Sequence, residues 1–166
     1  MRHSLLALSL LTSLAACQKA EAPAAPVATD TPAADAAFAD LSKRALDGWL
    51  QLSPVGATQI GEHKYDAEID DLSAAGRQKN VDFGKKILAE LDALDVSTLS
   101  RENQVDAAIL RNQLQYDLWS AETMQAWAWD PQVYGGVAGS AIYGLMAREF
   151  APLPQRIGSA VSRMEK

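Results

Sequence analysis

The chain has 166 residues, 48% of them apolar and 22% charged, the composition of one soluble domain carried behind an export leader. Acidic side chains number 21 against 15 basic ones, with no clustered Lys/Arg stripe, which argues against nucleic acid because phosphates are bound by concentrated positive charge. The single cysteine, Cys17, excludes an internal disulfide framework and a cysteine-based zinc site.

Residues 1–17 open with the basic stretch Met1-Arg2-His3, continue through an apolar run from Leu5 to Leu14, and end in Ala15-Ala16-Cys17. This pattern predicts a secretion signal, too short to remain as a membrane-spanning helix. The tetrad Leu14-Ala15-Ala16-Cys17 resembles the bacterial lipobox, which implies diacylglyceryl transfer to the Cys17 thiol and cleavage just before it. A plain signal peptide with an incidental cysteine is the alternative. Several acyl chains on one residue anchor a protein stably where a single chain does not, so the expected partner is a membrane, held through Cys17. Gln18 after the cysteine, by resemblance to lipoprotein sorting, implies the outer membrane, with the protein facing the periplasm. Residues 18–33 contain Pro23, Pro26 and Pro32, which fix φ and remove backbone donors, and they read as an extended tether of about 50 Å at ~3.1 Å per residue.

From residue 34 to 166, apolar residues recur at three- and four-residue intervals without alternation of period two, so the expected fold is all-α, an irregular helical bundle. Phe38, Leu41, Ala45 and Trp49 mark a first helix. Ser53-Pro54 ends it and offers the cap and first-turn proline of a short second one. A loop runs through Gly61-Glu62-His63-Lys64-Tyr65-Asp66 to Ser73, the cap of a helix carrying Phe83, Ile87, Leu91 and Leu94 on one side. Another opens at Ser100 with the stripe Val105, Ile109, Leu110, Leu114 and Leu118. Trp127-Ala128-Trp129 leads into Asp130-Pro131, which predicts a helix through Val137, Ala141, Leu145 and Met146 to about Ala151, before Pro152 and Pro154. Gly135, Gly136, Gly139 and Gly144 weaken that helix by about 1 kcal/mol each unless another element packs closely on them. Gln155 to Lys166 reads as a last helix that stops without a cap, the expected mark of the truncated N-terminal portion of a larger helical domain.

Chemistry-bearing residues are sparse. Beyond the leader there is one histidine, His63, so no two-histidine zinc motif can be assembled here, and catalytic residues and metal ligands are both expected to be none in this fragment. Gly136-Val137-Ala138-Gly139-Ser140-Ala141 lacks the spacing of a nucleophile elbow and reads as a small-residue helix face. Asp66, Glu68, Asp70 and Asp71 could offer oxygens to calcium, but without the loop glycine and terminal glutamate a solvated acidic loop is favoured. Trp119, Trp127 and Trp129 could line a groove or fill a helical core. The candidate substrate contacts are His63, Tyr65, Trp127 and Trp129, with a loop histidine bonded to backbone as the ordinary alternative for the first.

Gly61-Glu62-His63-Lys64-Tyr65-Asp66, Asp71-Leu72-Ser73, Asp130-Pro131-x-x-Tyr134 and Phe150-Ala151-Pro152-Leu153-x-x-Arg156 with Arg163 beyond, in that order, resemble the start of the bacterial uncharacterised-domain family numbered 885 (DUF 885). The resemblance runs from about Phe38 to the end. It implies a helical lipoprotein similar to thermolysin-like zinc peptidases, a peptide substrate, and a zinc motif, His-Glu-x-x-x-Gly-His, far downstream of this chain; zinc is therefore a cofactor only of a longer parent. Glu62 departs from the family, where Asp is common. Two functions follow: the N-terminal part of an exported zinc metallopeptidase-like hydrolase, or a lipid-anchored helical binding or structural module without catalysis. Replacing Cys17 with Ser is expected to abolish acylation; mass spectrometry of the mature amino terminus checks this, and an unmodified peptide starting elsewhere than Cys17 contradicts it.

Overall fold

The computed structural model describes residues 32–166, so the leader, Cys17 and most of the tether lie outside the described residues. Among the described residues every regular element is helical: α1 (Pro32–Leu52), α2 (Pro54–Ile60), α3 (Ala74–Asp92), α4 (Arg101–Trp119), α5 (Gln132–Met146) and α6 (Leu153–Met164). Helix α1 begins at Pro32, two residues inside the expected tether, consistent with the ease with which proline opens a helix at its first position.

Local chemistry sets the helix ends. Ser53 and Pro54 separate α1 from α2, and Gly61 closes α2 in the left-handed region at φ +93, where its N–H donates to Thr58 O and the Glu62 N–H donates to Ala57 O. The Ser73 hydroxyl accepts from Gly76 N at 3.0 Å, and Ser100 accepts from Asn103 N at 3.4 Å, capping α3 and α4. Asp130 accepts from Gln132 N at 2.9 Å and so starts α5, though the helix itself opens one residue after Pro131. It ends at Met146 rather than near Ala151, because Arg156 takes the carbonyls at its end, as described below.

Helices α1, α3 and α4 share an apolar core of Phe38, Leu41, Ala45, Ile87, Leu91, Leu99, Ala107 and Leu114. The stripe expected on α4 needs correction. Ala107 and Leu114 face the core, whereas Val105 and Ile109 lie on the neighbouring face and are exposed, Ile109 by 61%. Ala107 is fully buried in that core although it is small, so the buried face of α4 is not the one carrying its bulkiest side chains. At one end α1 is tied to the start of α4 by the Asp35 carboxylate, which accepts from Ser100 N at 3.0 Å; bonds from the Asn103 side chain and the Ser100 N–H hold its pKa below the usual aspartate value. Beyond α4 the chain makes a π-helical turn, Ser120–Met124, and crosses Gln125 in the left-handed region at φ +48.

The second group of helices is α2, α5 and α6, joined to the first where α2 follows α1. Of the four glycines on α5 only Gly144 meets another element, Thr58 Cγ2 lying 3.7 Å from where its Cβ would be; Gly135, Gly136 and Gly139 face open space. Leu91→Ala is expected to cost about 2–5 kcal/mol, whereas Ile109→Ala stays within about 0.5 kcal/mol, a contrast that urea unfolding midpoints check.

Candidate functional site

Four of the residues shared by the resemblance, His63, Asp66, Phe150 and Arg163, meet in one place. The loop between α2 and α3 passes between the ends of α2 and α6, and Asp66 is buried at its centre. Its carboxylate accepts from the Thr58 hydroxyl at 2.7 Å and from His63 Nδ1 at 3.0 Å. A carboxylate only accepts, so the proton of the His63 ring sits on Nδ1. The same ring stacks on Phe150, with centroids 3.6 Å apart and planes 10° from parallel.

Behind Thr58 stands Arg163, 2% exposed. Its guanidinium donates to Glu68 O at 2.7 Å, Ala141 O at 2.7 Å, Pro54 O at 3.3 Å and Thr58 Oγ1 at 2.7 Å. Thr58 thus passes charge-assisted bonding from Arg163 to Asp66. Burial pulls the guanidinium's pKa down while Asp66 and Asp70 hold it up, and the group stays cationic because an arginine begins so far above neutrality. Asp70 caps the start of α2, accepting from Val55 N at 3.0 Å and Ser53 Oγ at 3.4 Å; burial pushes its carboxyl up, and these bonds together with Arg163 oppose that rise. Two turns before Arg163, buried Arg156 donates to Ala151 O, Leu145 O and Met146 O and closes the end of α5.

The four candidate substrate contacts do not come together. His63 is engaged by Asp66 and Phe150. Tyr65 borders a cavity of about 600 Å³ with Ile69, Asn80 and Phe83. Trp127 lies under the Arg77 guanidinium, 4.0 Å from the ring centre, and its carbonyl accepts from Tyr134 Oη at 2.8 Å. Trp129 is 65% exposed, its indole N–H donating to Met124 O at 3.0 Å, and Trp119 is exposed beside Tyr116. A larger cavity of about 800 Å³ opens between α1, α3 and α4, and its aromatic wall comes instead from Phe38, Trp49 and Phe83. Asp66 and Asp70 are committed to different partners, and among the described residues no three His, Cys, Asp or Glu side chains stand together as a metal site.

Sequence reasoning did not find the role of Thr58, Arg156 and Arg163. The signal that could have shown it is the seven-residue spacing of the two arginines, which puts both on one face of α6 two turns apart.

Residues 54–166 match the family model described as "Bacterial protein of unknown function (DUF885)". A solved structure from Shewanella oneidensis, described as "a putative lipoprotein of unknown function", is 33% identical with a TM-score of 0.71; the match covers 77% of this chain and 23% of that one. The chain therefore spans less than a quarter of that protein's length. No curated protein matches. Replacing Arg163 with Met removes its bonds to Glu68 O, Ala141 O, Pro54 O and Thr58 and leaves the buried Asp66 without the cation behind Thr58, so a loss of about 3–5 kcal/mol is expected. Arg163→Lys should recover little of it, since a compact ammonium cannot span four acceptors. Denaturant midpoints check both; a wild-type midpoint for Arg163→Met contradicts the assignment.

Proposed function

We propose, for a chain that belongs to the bacterial DUF885 family, that it is the amino-terminal scaffold of a lipid-anchored cell-envelope hydrolase of peptidase type whose catalytic part lies beyond Lys166. Export and anchoring rest on the lipobox ending in Cys17, and the neighbour described as a lipoprotein supports them. No helix among the described residues is long and apolar enough to cross a membrane, so within 32–166 membrane attachment rests on no spanning helix. The peptidase class rests on the family resemblance. The residues of this chain do not fit the zinc it implies: the one histidine outside the leader is bonded to Asp66 and stacked on Phe150, and no ligand group surrounds it. This part of the protein is therefore assigned no step of the chemistry.

The observation that carries the scaffold role is the orientation of α6. It buries Arg156, Ala160 and Arg163 and turns Leu153, Ile157, Val161 and Met164 outward, Met164 by 69%. Four apolar residues at intervals of three and four form a stripe along the helix, and each forfeits roughly 1.5–3 kcal/mol while it remains in water. Further protein seated on α6, and on the open glycine face of α5, recovers that loss. A second reading, an anchored binding module without catalysis, is favoured by the 800 Å³ cavity between α1, α3 and α4.

The test is the double substitution Ile157→Glu with Val161→Glu in the full-length protein, read by thermal unfolding and by hydrolysis of a mixed peptide substrate. A seated α6 face predicts a loss of about 3 kcal/mol or more together with falling activity. A change within about 0.5 kcal/mol shows the face to be free, and a full-length protein that is stable but hydrolyses no peptide supports the binding module instead.

A further inference from the structure

The cavity between α1, α3 and α4 is not part of the Asp66–Arg163 network. Its volume of about 800 Å³ falls within the ~300–1,000 Å³ typical of small-molecule sites. The body of the cavity is apolar, formed by Phe38, Leu46 and Trp49 of α1 against Val81 of α3 and Leu110 and Leu114 of α4.

Its charged side chains are mostly acidic. Asp70, Asp71, Asp106 and Asp117 border it, and the only cationic side chain there is Arg77. That guanidinium is already in use, stacked over Trp127 and donating to Leu72 O at 2.6 Å. Asp70 is taken by Val55 N and Ser53, and Asp71 by Ser73 N at 3.0 Å. Asp106 and Asp117 remain, both on the α4 wall, and among the described residues neither forms an ion pair. Asp117 accepts one bond, from the Gln113 amide at 2.8 Å, and loss of solvent pushes its carboxyl up. On the opposite wall the Ser42 hydroxyl is buried without a hydrogen-bond partner, a state that costs free energy until something polar reaches it.

We propose that this cavity binds a small amphiphilic amine, its hydrocarbon body against Trp49, Leu110 and Leu114 and its ammonium on the Asp117 carboxylate. Asp117 is exposed at the mouth of the apolar pocket and pairs with no cation among the described residues, so it favours a ligand that brings one, because a charge-assisted hydrogen bond is stronger than a neutral one. An anionic amphiphile of the same length would set its charge against Asp106 and Asp117. A neutral one would fill the apolar body and leave Asp117 unpaired.

The experiment uses the complete mature protein made without its leader, titrated calorimetrically at neutral pH with n-octylammonium, 1-octanol and octanoate. Octylammonium is expected to bind one per protein, about tenfold or more tighter than 1-octanol, with octanoate weakest. Asp117→Asn should remove the preference for the amine and leave the affinity for 1-octanol unchanged. Ser42→Leu, which replaces the unpartnered hydroxyl with apolar bulk in the cavity wall, should weaken both ligands. Absence of octylammonium binding, octanoate binding as tightly as the amine, or an amine preference that survives both Asp117→Asn and Asp106→Asn overturns the proposal.

Discussion

The guanidinium of Arg163 is the point on which the α2, α5 and α6 half of the molecule depends. A cation is expensive to take out of water, and the fold offsets that cost by giving it acceptors from three separate segments: Pro54 O and Thr58 of α2, Glu68 O of the loop and Ala141 O of α5. Of these acceptors, Glu68 O lies in an irregular loop with no helix or sheet to answer it, while Pro54 O also accepts from the Thr58 hydroxyl at 3.2 Å. One planar side chain with five N–H groups reaches what no backbone element could.

Serving that purpose determines which way α6 faces. A helix whose polar side is required inside must present its apolar side outside, and Leu153, Ile157, Val161 and Met164 are exposed for that reason. The α1, α3 and α4 half works by the opposite rule, with aliphatic and aromatic side chains inward and ion pairs such as Arg44 with Glu90 and Arg111 with Asp92 at the surface. Exposed pairs of this kind contribute little, so the stability of that half comes from apolar burial. Its two ends are nonetheless tied differently. Asp35 holds α1 to the start of α4, while the far end of α1 is committed to α2 through Ser53 and Asp70. The cavity between α1, α3 and α4 runs from Phe38 and Asn103 near the first end to Leu52 and Asp117 near the second.

Wherever a short-range rule decides, the sequence was readable. Ser73 and Ser100 each accept from a backbone N–H three residues on, at the helix starts expected of them, whereas the cap expected of Ser53 is supplied by Asp70 and α5 opens one residue later than Asp130-Pro131 predicts. Rotation of a helix about its axis is a tertiary property, and there the reading failed on α4 and was silent on α6. On α4 the bulky Val105 and Ile109 suggested the buried face, yet the face that is buried carries Ala107 and Leu114. On α6 a hydrophobic stripe alone points at the wrong side, because the acceptors that draw Arg163 inward lie from 22 to 109 residues away along the chain. The π turn at Ser120–Met124 left no signal either, since its sequence is compatible with an ordinary helix and only the departure at Gln125 shows the strain of leaving it.

The motif residues themselves were visible in order but not in role, and their roles bear on where function can reside. Asp66 takes bonds from Thr58 and His63; His63 is further covered by Phe150; Asp71 holds Ser73; Asp130 starts α5; Tyr134 fixes Trp127; Arg156 closes α5; Arg163 joins three segments. Each is engaged in holding the chain in place, and a side chain so engaged has little left to offer a substrate. What marks this chain as a family member is thus a set of structural constraints. Capacity for binding remains at groups outside that set: Asp106 and Asp117 without a cation, Ser42 without a partner, and the apolar face of α6 without cover. In this protein the motif indicates how the scaffold is built, and the unsatisfied groups indicate where something else must come to it.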